Sequence, residues 1–186
     1  MRIAKTDFLK ALPLARKVSE SWFRCQALAG TARYAPDEHV IKTAEEAILA
    51  AFTATDFYQK VAATAWPLRA LIERKQEQKA IQWLPEILEL SEHIENPISR
   101  TDALFMLWEG VFPVPAHESI LEPLVISCTG HWKADYILRQ IVIILASHDI
   151  DAAQKLAASM PESKYKRQAE RRLGEGQKEE ARQFYH

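Results

Sequence analysis

Apolar side chains along this chain recur at steps of three and four, the period of one helix face, and alternation at steps of two is hard to find. The clearest unit is residues 96–110, NPISRTDALFMLWEG. Asn96 is the only asparagine in the chain and stands directly before Pro97. Its side-chain oxygen suits the free N–H groups of a first helical turn, and a proline at the next position has no N–H to lose and a φ preset for helix. Ala103, Leu104, Met106, Leu107 and Trp108 follow at helical spacing, and Gly110 marks the expected exit.

Similar units precede and follow it. Thr6 or Asp7 predicts a first helix to about Val18, with Pro13 kinking it or moving its start to about Ala11. Ser19 or Ser21 opens a second that must stop before Pro36. Thr43 with Glu46 has the spacing of a capping box and predicts a third, AEEAILAAF. Thr55 or Asp56 caps a fourth, which Pro67 should kink or restart. Residues 68–82 are polar and helix-prone, and a fifth helix is expected over residues 84–93, ahead of the unit at Asn96. Pro113 and Pro115 predict an ordered loop over residues 111–117. Ser119 with Glu122 predicts a capped seventh helix ended by Gly130. Residues 132–147, apolar nearly all round, read as a buried eighth helix. Asp149 or Asp151 caps a ninth, and Ser163 a tenth ending at Gly174. A short polar helix to about Tyr185 is expected to close the chain.

Stacked on their second helices, these pairs place Leu28, Ala62, Leu104, Leu138 and Glu170 in equivalent positions. The steps between them are 34, 42, 34 and 32 residues. One longer step predicts an insertion near residues 68–82, and the charged Glu170 fits a terminal unit whose outer face meets water. A helix–turn–helix unit of this period resembles the α-solenoid superfamily of tetratricopeptide-like and HEAT-like repeats. The resemblance spans about residues 6–174 and implies an all-α, right-handed superhelix of about five antiparallel hairpins, near residues 6–35, 43–75, 77–111, 118–147 and 150–174. It also implies a surface that binds partners, and it assigns no functional residue.

Composition refines this. With 48% hydrophobic and 26% charged residues, the chain of 186 residues has the make-up of an ordinary globular domain. The longest apolar run, residues 141–146, is far short of the roughly 20 residues a membrane span requires, and the charged N-terminus does not read as a signal peptide. Cys25 and Cys128 form no CxxC pattern and read as reduced, buried thiols of a cytoplasmic protein. The net charge of −1 hides an uneven distribution. Residues 1–75 carry 12 basic and 8 acidic side chains (+4), residues 76–162 carry 5 and 13 (−8), and residues 163–186 carry 7 and 4 (+3).

Candidate chemistry is thin. Glu86, Glu89, Glu92 and Glu95 surround His93, but each step of three falls about 60° short of a full turn, so the acids fan apart as a solvated face. No zinc motif, nucleophile elbow, phosphate-cradling loop or dinucleotide fingerprint is present. No catalytic residue, metal ligand or cofactor site is therefore expected. The expected role is a non-catalytic interaction or scaffolding module, with the acidic middle favouring a basic protein or peptide and the basic ends allowing self-association. Tryptophan and arginine dominate binding hot spots. Trp22, Arg24, Arg100, Trp132 and Lys133, all near second-helix starts, are accordingly the expected partner-binding residues. A nucleic-acid binder of HEAT-like type is the alternative; it needs Arg24, Lys133, Lys164, Arg167 and Arg171 to converge, and the charge balance argues against it. A third reading is an enzyme with a pocket at residues 113–117 and His117 and Glu118 facing inward.

Overall fold

A computed structural model describes residues 2–128 and 132–185. Among them every regular element is helical: α1 (Arg2–Thr6), α2 (Phe8–Arg16), α3 (Ser21–Arg33), α4 (Asp37–Phe52), α5 (Phe57–Ala63), α6 (Ala65–Glu73), α7 (Glu77–Glu92), α8 (Pro97–Val111), a 3₁₀ turn (Pro115–His117), α9 (Glu118–Ser127), α10 (Trp132–Leu145), α11 (Ile150–Ser159) and α12 (Lys164–Gly174). Helix α3 packs on α2, α4 and α6, α8 packs on α5, α6 and α9, and α10 packs on α11 and α12. Leu28, Ala62, Leu104 and Leu138 are all buried, whereas Glu170 is exposed.

Most of the expected starts are made by the expected side chains. Asp7, Asp56, Asn96, Asp149 and Ser163 each accept a hydrogen bond from a first-turn backbone N–H. Asn96 accepts two, from Ile98 (2.9 Å) and Ser99 (3.1 Å), with Pro97 opening α8. Two boxes do not form. Helix α4 starts at Asp37, behind Pro36, with Asp37 and Glu38 in its first turn where acids suit the helix dipole, so Thr43 lies buried in mid-helix. Helix α9 is entered from the 3₁₀ turn, so Ser119 is already inside it and donates to the Ala116 carbonyl. Gly130 lies outside the described residues. Helix α7 starts at Glu77 instead of Leu84, so residues 68–82 are the end of α6, a tight turn and the start of α7. Beyond α12 the chain is not helical: residues 177–185 form an irregular tail.

Pro67 interrupts its helix as expected, and the break is used. Helix α5 ends at Ala63 and α6 resumes at Ala65. Proline has no N–H to offer the carbonyl four residues back, which is that of Ala63. The buried thiol of Cys25 on α3 donates to that carbonyl instead, at 3.2 Å. A helix interruption is thus made good by a neighbouring helix.

Helix α8 is the centre of the fold, buried continuously from Ala103 to Phe112 at its C-cap. Gly110 sits inside it and does not end it, because α8 approaches α6 there. A Cβ at this position would stand 2.8 Å from the Ala65 carbonyl oxygen and 3.0 Å from its Cα. Gly110→Ala should therefore lower stability by about 1–3 kcal/mol, read as a lower midpoint in urea with unchanged slope. The turn after α6 behaves oppositely. Lys75 has φ 59°, and Gln76 and Lys75 donate back to Leu71 (2.8 Å) and Ile72 (2.9 Å), the arrangement in which glycine is preferred. Lys75→Gly should raise stability by about 1 kcal/mol in the same titration.

Candidate functional site

Four residues of α8, Ile98, Asp102, Phe105 and Glu109, follow one another at steps of four, three and four and so share a face. That face lines a cavity of about 670 Å³. Its walls come from Tyr58 on α5, from Lys133, Tyr136, Ile137 and Gln140 on α10, and from Tyr165 on α12; Arg182 of the tail closes one end. Three helices that are far apart in sequence therefore meet α8 at this place.

Two acids, Asp102 and Glu109, two bases, Lys133 and Arg182, and three tyrosines line it. The Tyr58 hydroxyl donates to Asp102 Oδ2 at 2.8 Å. Burial first, and the Asp102 carboxylate second, push the Tyr58 phenol up to about 12, so it remains a donor across the neutral range. Tyr136 is exposed and meets Tyr165 edge-on, with ring centroids 6.0 Å apart. The Arg139 guanidinium lies 4.8 Å from the Tyr136 ring centre and 5.9 Å from that of Tyr165. It is fixed by Gln168 (2.9 Å) and Gln140 (2.7 Å) and holds both rings in place.

Glu109 is 4% exposed. Burial raises the pKa of its carboxyl, and Arg182 acts against that rise. The Arg182 backbone N–H donates to Oε1 at 3.1 Å, and its guanidinium Nε stands 3.1 Å from Oε2. The tail carries on from this pair across α6 to α3. Phe184 meets Trp66 edge-on at 5.2 Å, the Tyr185 hydroxyl donates to the Trp66 carbonyl at 2.5 Å, and the Arg33 guanidinium lies 4.8 Å from the Tyr185 ring centre. Burial drives the Tyr185 phenol well above its ordinary pKa.

The residues expected to bind a partner are dispersed. Trp22 is half-buried, stacked on Tyr58 at 6.1 Å and edge-on to Trp66 at 5.6 Å, so it backs the cavity without lining it. Arg24 donates to Thr53 Oγ1 (2.8 Å) and to the carbonyls of Ser19 (3.3 Å) and Val18 (3.4 Å). Arg100 donates to the carbonyls of Ile94 (2.8 Å) and Glu92 (2.9 Å). Both guanidinium groups are engaged in closing helix ends. Lys133 lines the cavity. Trp132 opens α10, and its side chain lies outside the described residues. Of the set proposed for nucleic acid, Arg24 is so engaged, Lys164 lies over the Tyr165 ring at 4.8 Å and Arg171 faces Glu175 at 4.0 Å. His117 does face inward, edge-on to Phe112 and Trp108, with Nδ1 2.9 Å from the Val114 carbonyl; Glu118 is exposed. The carboxylates of Glu86, Glu89, Glu92 and Glu95 are exposed as well.

Asp102, Glu109, Tyr58, Tyr136 and Arg182 were not singled out by the sequence reading. The signal available for the two acids was their seven-residue spacing on an otherwise apolar helix. Comparison with family models, with curated proteins and with solved structures gives no match. Among the described residues, no helix is long and apolar enough to cross a membrane.

Two outcomes follow from the titratable groups. A carboxyl with a raised folded pKa supports folding while protonated and loses that contribution as pH rises through the folded value. Arg182 offsets this loss only when Glu109 is ionised. The stability deficit of Arg182→Ala in urea should therefore be small near about pH 4 and larger near about pH 7. Burial also raises the thiol pKa of both cysteines, that of Cys128 to about 12. Neither should react with a disulfide reagent in the native protein, and both should react on unfolding.

Proposed function

We propose that this protein is a non-catalytic partner-binding module, a short right-handed superhelix of about five helix hairpins, and that an extended basic segment of another protein lies along the face formed by its second helices. The observation that carries this reading is the cavity along α8. Asp102, half-buried and oriented by Tyr58, stands in a cavity walled by Phe105, Tyr136 and Tyr165. Fixed carboxylates among aromatic rings suit a guanidinium or ammonium group, which gains both a charge-assisted hydrogen bond and contact with ring faces. The charge of −8 over residues 76–162 draws such a segment towards this part of the chain. The tail gives an internal precedent, since its non-helical chain places an arginine on Glu109 at the edge of the same cavity.

The test is a titration of the full chain with a fluorescein-labelled peptide alternating arginine and glycine, with its glutamate counterpart as control. The arginine peptide should bind saturably, and Asp102→Asn should weaken it about tenfold or more, as expected for loss of a charged hydrogen-bond acceptor. Equal binding to wild type and Asp102→Asn would remove the reading. Saturable, salt-sensitive binding of duplex DNA in its place would favour the nucleic-acid alternative.

A further inference from the structure

The C-terminal tail is connected to the body in a way unlike any other segment. Helix α12 ends at Gly174, Gly176 takes φ 67°, and residues 175–178 and 180 are exposed. Beyond that linker the tail is anchored: Glu179 pairs with Arg172, Arg182 with Glu109, Phe184 joins the main core, Ala181 packs on it, and Tyr185 settles against Trp66 and Arg33. The groups that receive the tail belong to the helical body. The Trp66 carbonyl is part of α6, the Glu109 carboxylate is part of α8, and the Arg33 guanidinium is held by Glu73, itself paired with Arg69. Arg182 and Phe184, two residues apart, both turn towards the helices. A bend at Phe184 brings Tyr185 inward as well.

We propose that the tail is an exchangeable resident of a binding site between Arg33 and Glu109, and that the partner displacing it presents the same pattern: an arginine followed two and three residues later by aromatic side chains. This rests on the reading of the α8 face given above and extends it to the part of that face now covered. Two physical constraints shape the pattern. Glu109 is buried and would be left without a cation if the tail simply departed, so the incoming segment has to bring one. The Trp66 carbonyl and the face of Arg33 accept an aromatic residue with a hydroxyl, which Tyr185 supplies. A short linker holds the tail at an effective concentration on the order of millimolar. The resident tail therefore sets a threshold that the partner must exceed.

The experiment uses a labelled peptide with the sequence of residues 177–186 and the full chain carrying Phe184→Ala and Tyr185→Ala. The peptide should bind this variant saturably and about tenfold or more tighter than wild type, where the tail competes. Replacing the peptide's arginine by alanine should cost about tenfold, and adding Glu109→Gln to the protein should erase that difference. In the unsubstituted protein, excess peptide should speed hydrogen exchange at the Arg182 amide, which the Glu109 carboxylate protects. No binding to the variant, together with unchanged exchange in wild type, would show that the tail is a permanent part of the fold and overturn the proposal. A concentration-dependent dimer formed by tail exchange, with no binding of free peptide, would overturn the choice of partner. Neither result alters the comparison of wild type with Asp102→Asn on the arginine–glycine peptide, so the two readings fail separately.

Discussion

Helix α8 is buried from Ala103 to Val111, and the rest of the chain is arranged around it. A helix buried to this extent has little water to satisfy its polar groups, so most of them are answered by a neighbour, the Trp108 indole N–H being an exception. Gly110 allows the backbone of α6 to come close enough to seal one side. The Thr101 hydroxyl stands 2.9 Å from the carbonyls of both Pro97 and Ser127, shares its one proton between them, and ties α9 down on another. Asp102 is answered by Tyr58 and Glu109 by Arg182. Glu109 makes the severest demand, since a buried carboxylate without a cation is strongly destabilising. The tail meets that demand, which explains why a polar segment with no helical structure of its own lies against the body.

The arginines show a second constraint. The last four carbonyls of a helix have no partner within it. Arg24 reaches the chain just beyond α2, Arg74 the carbonyls of Arg33 (2.9 Å) and Ala35 (2.7 Å) at the end of α3, Arg100 those beyond α7, and Arg69 that of Phe112 at the end of α8 (2.6 Å). Guanidinium groups thus close the ends of α3, α7 and α8 and tie down the chain that follows α2, their forked donors serving two acceptors at once. This use of arginine accounts for why Arg24 and Arg100, conspicuous in sequence beside second-helix starts, have their donors turned inward to the protein.

Legibility in the sequence followed the range of each interaction. Caps made by a side chain two or three residues from its acceptor, at Asp7, Asp56, Asn96, Asp149 and Ser163, could be narrowed to one or two candidates, as the interruption could to Pro67. Helix α3, by contrast, starts at Ser21 with no side-chain cap from Ser19 or Ser21. Thr43 and Ser119 misled because Pro36 and the 3₁₀ turn start their helices earlier. Gly110 was read as an exit because close approach to Ala65 depends on a residue 45 positions away. The α8 cavity was illegible for the same reason, since Tyr58, Asp102, Tyr136 and Tyr165 meet only when four helices assemble. The tail was expected to be helical from its local polarity, but Glu109 and Trp66, distant in sequence, hold it in an irregular path.

The central claim, that the α8 face receives cationic side chains of an extended segment, is tested most directly by mapping backbone amide shifts of the full chain on titration with arginine amide. Shifts centred on Tyr58, Asp102, Phe105 and Tyr136, saturating together with a single binding constant, are the predicted result. Shifts confined to α12, or absent from α8 at saturation, would contradict it.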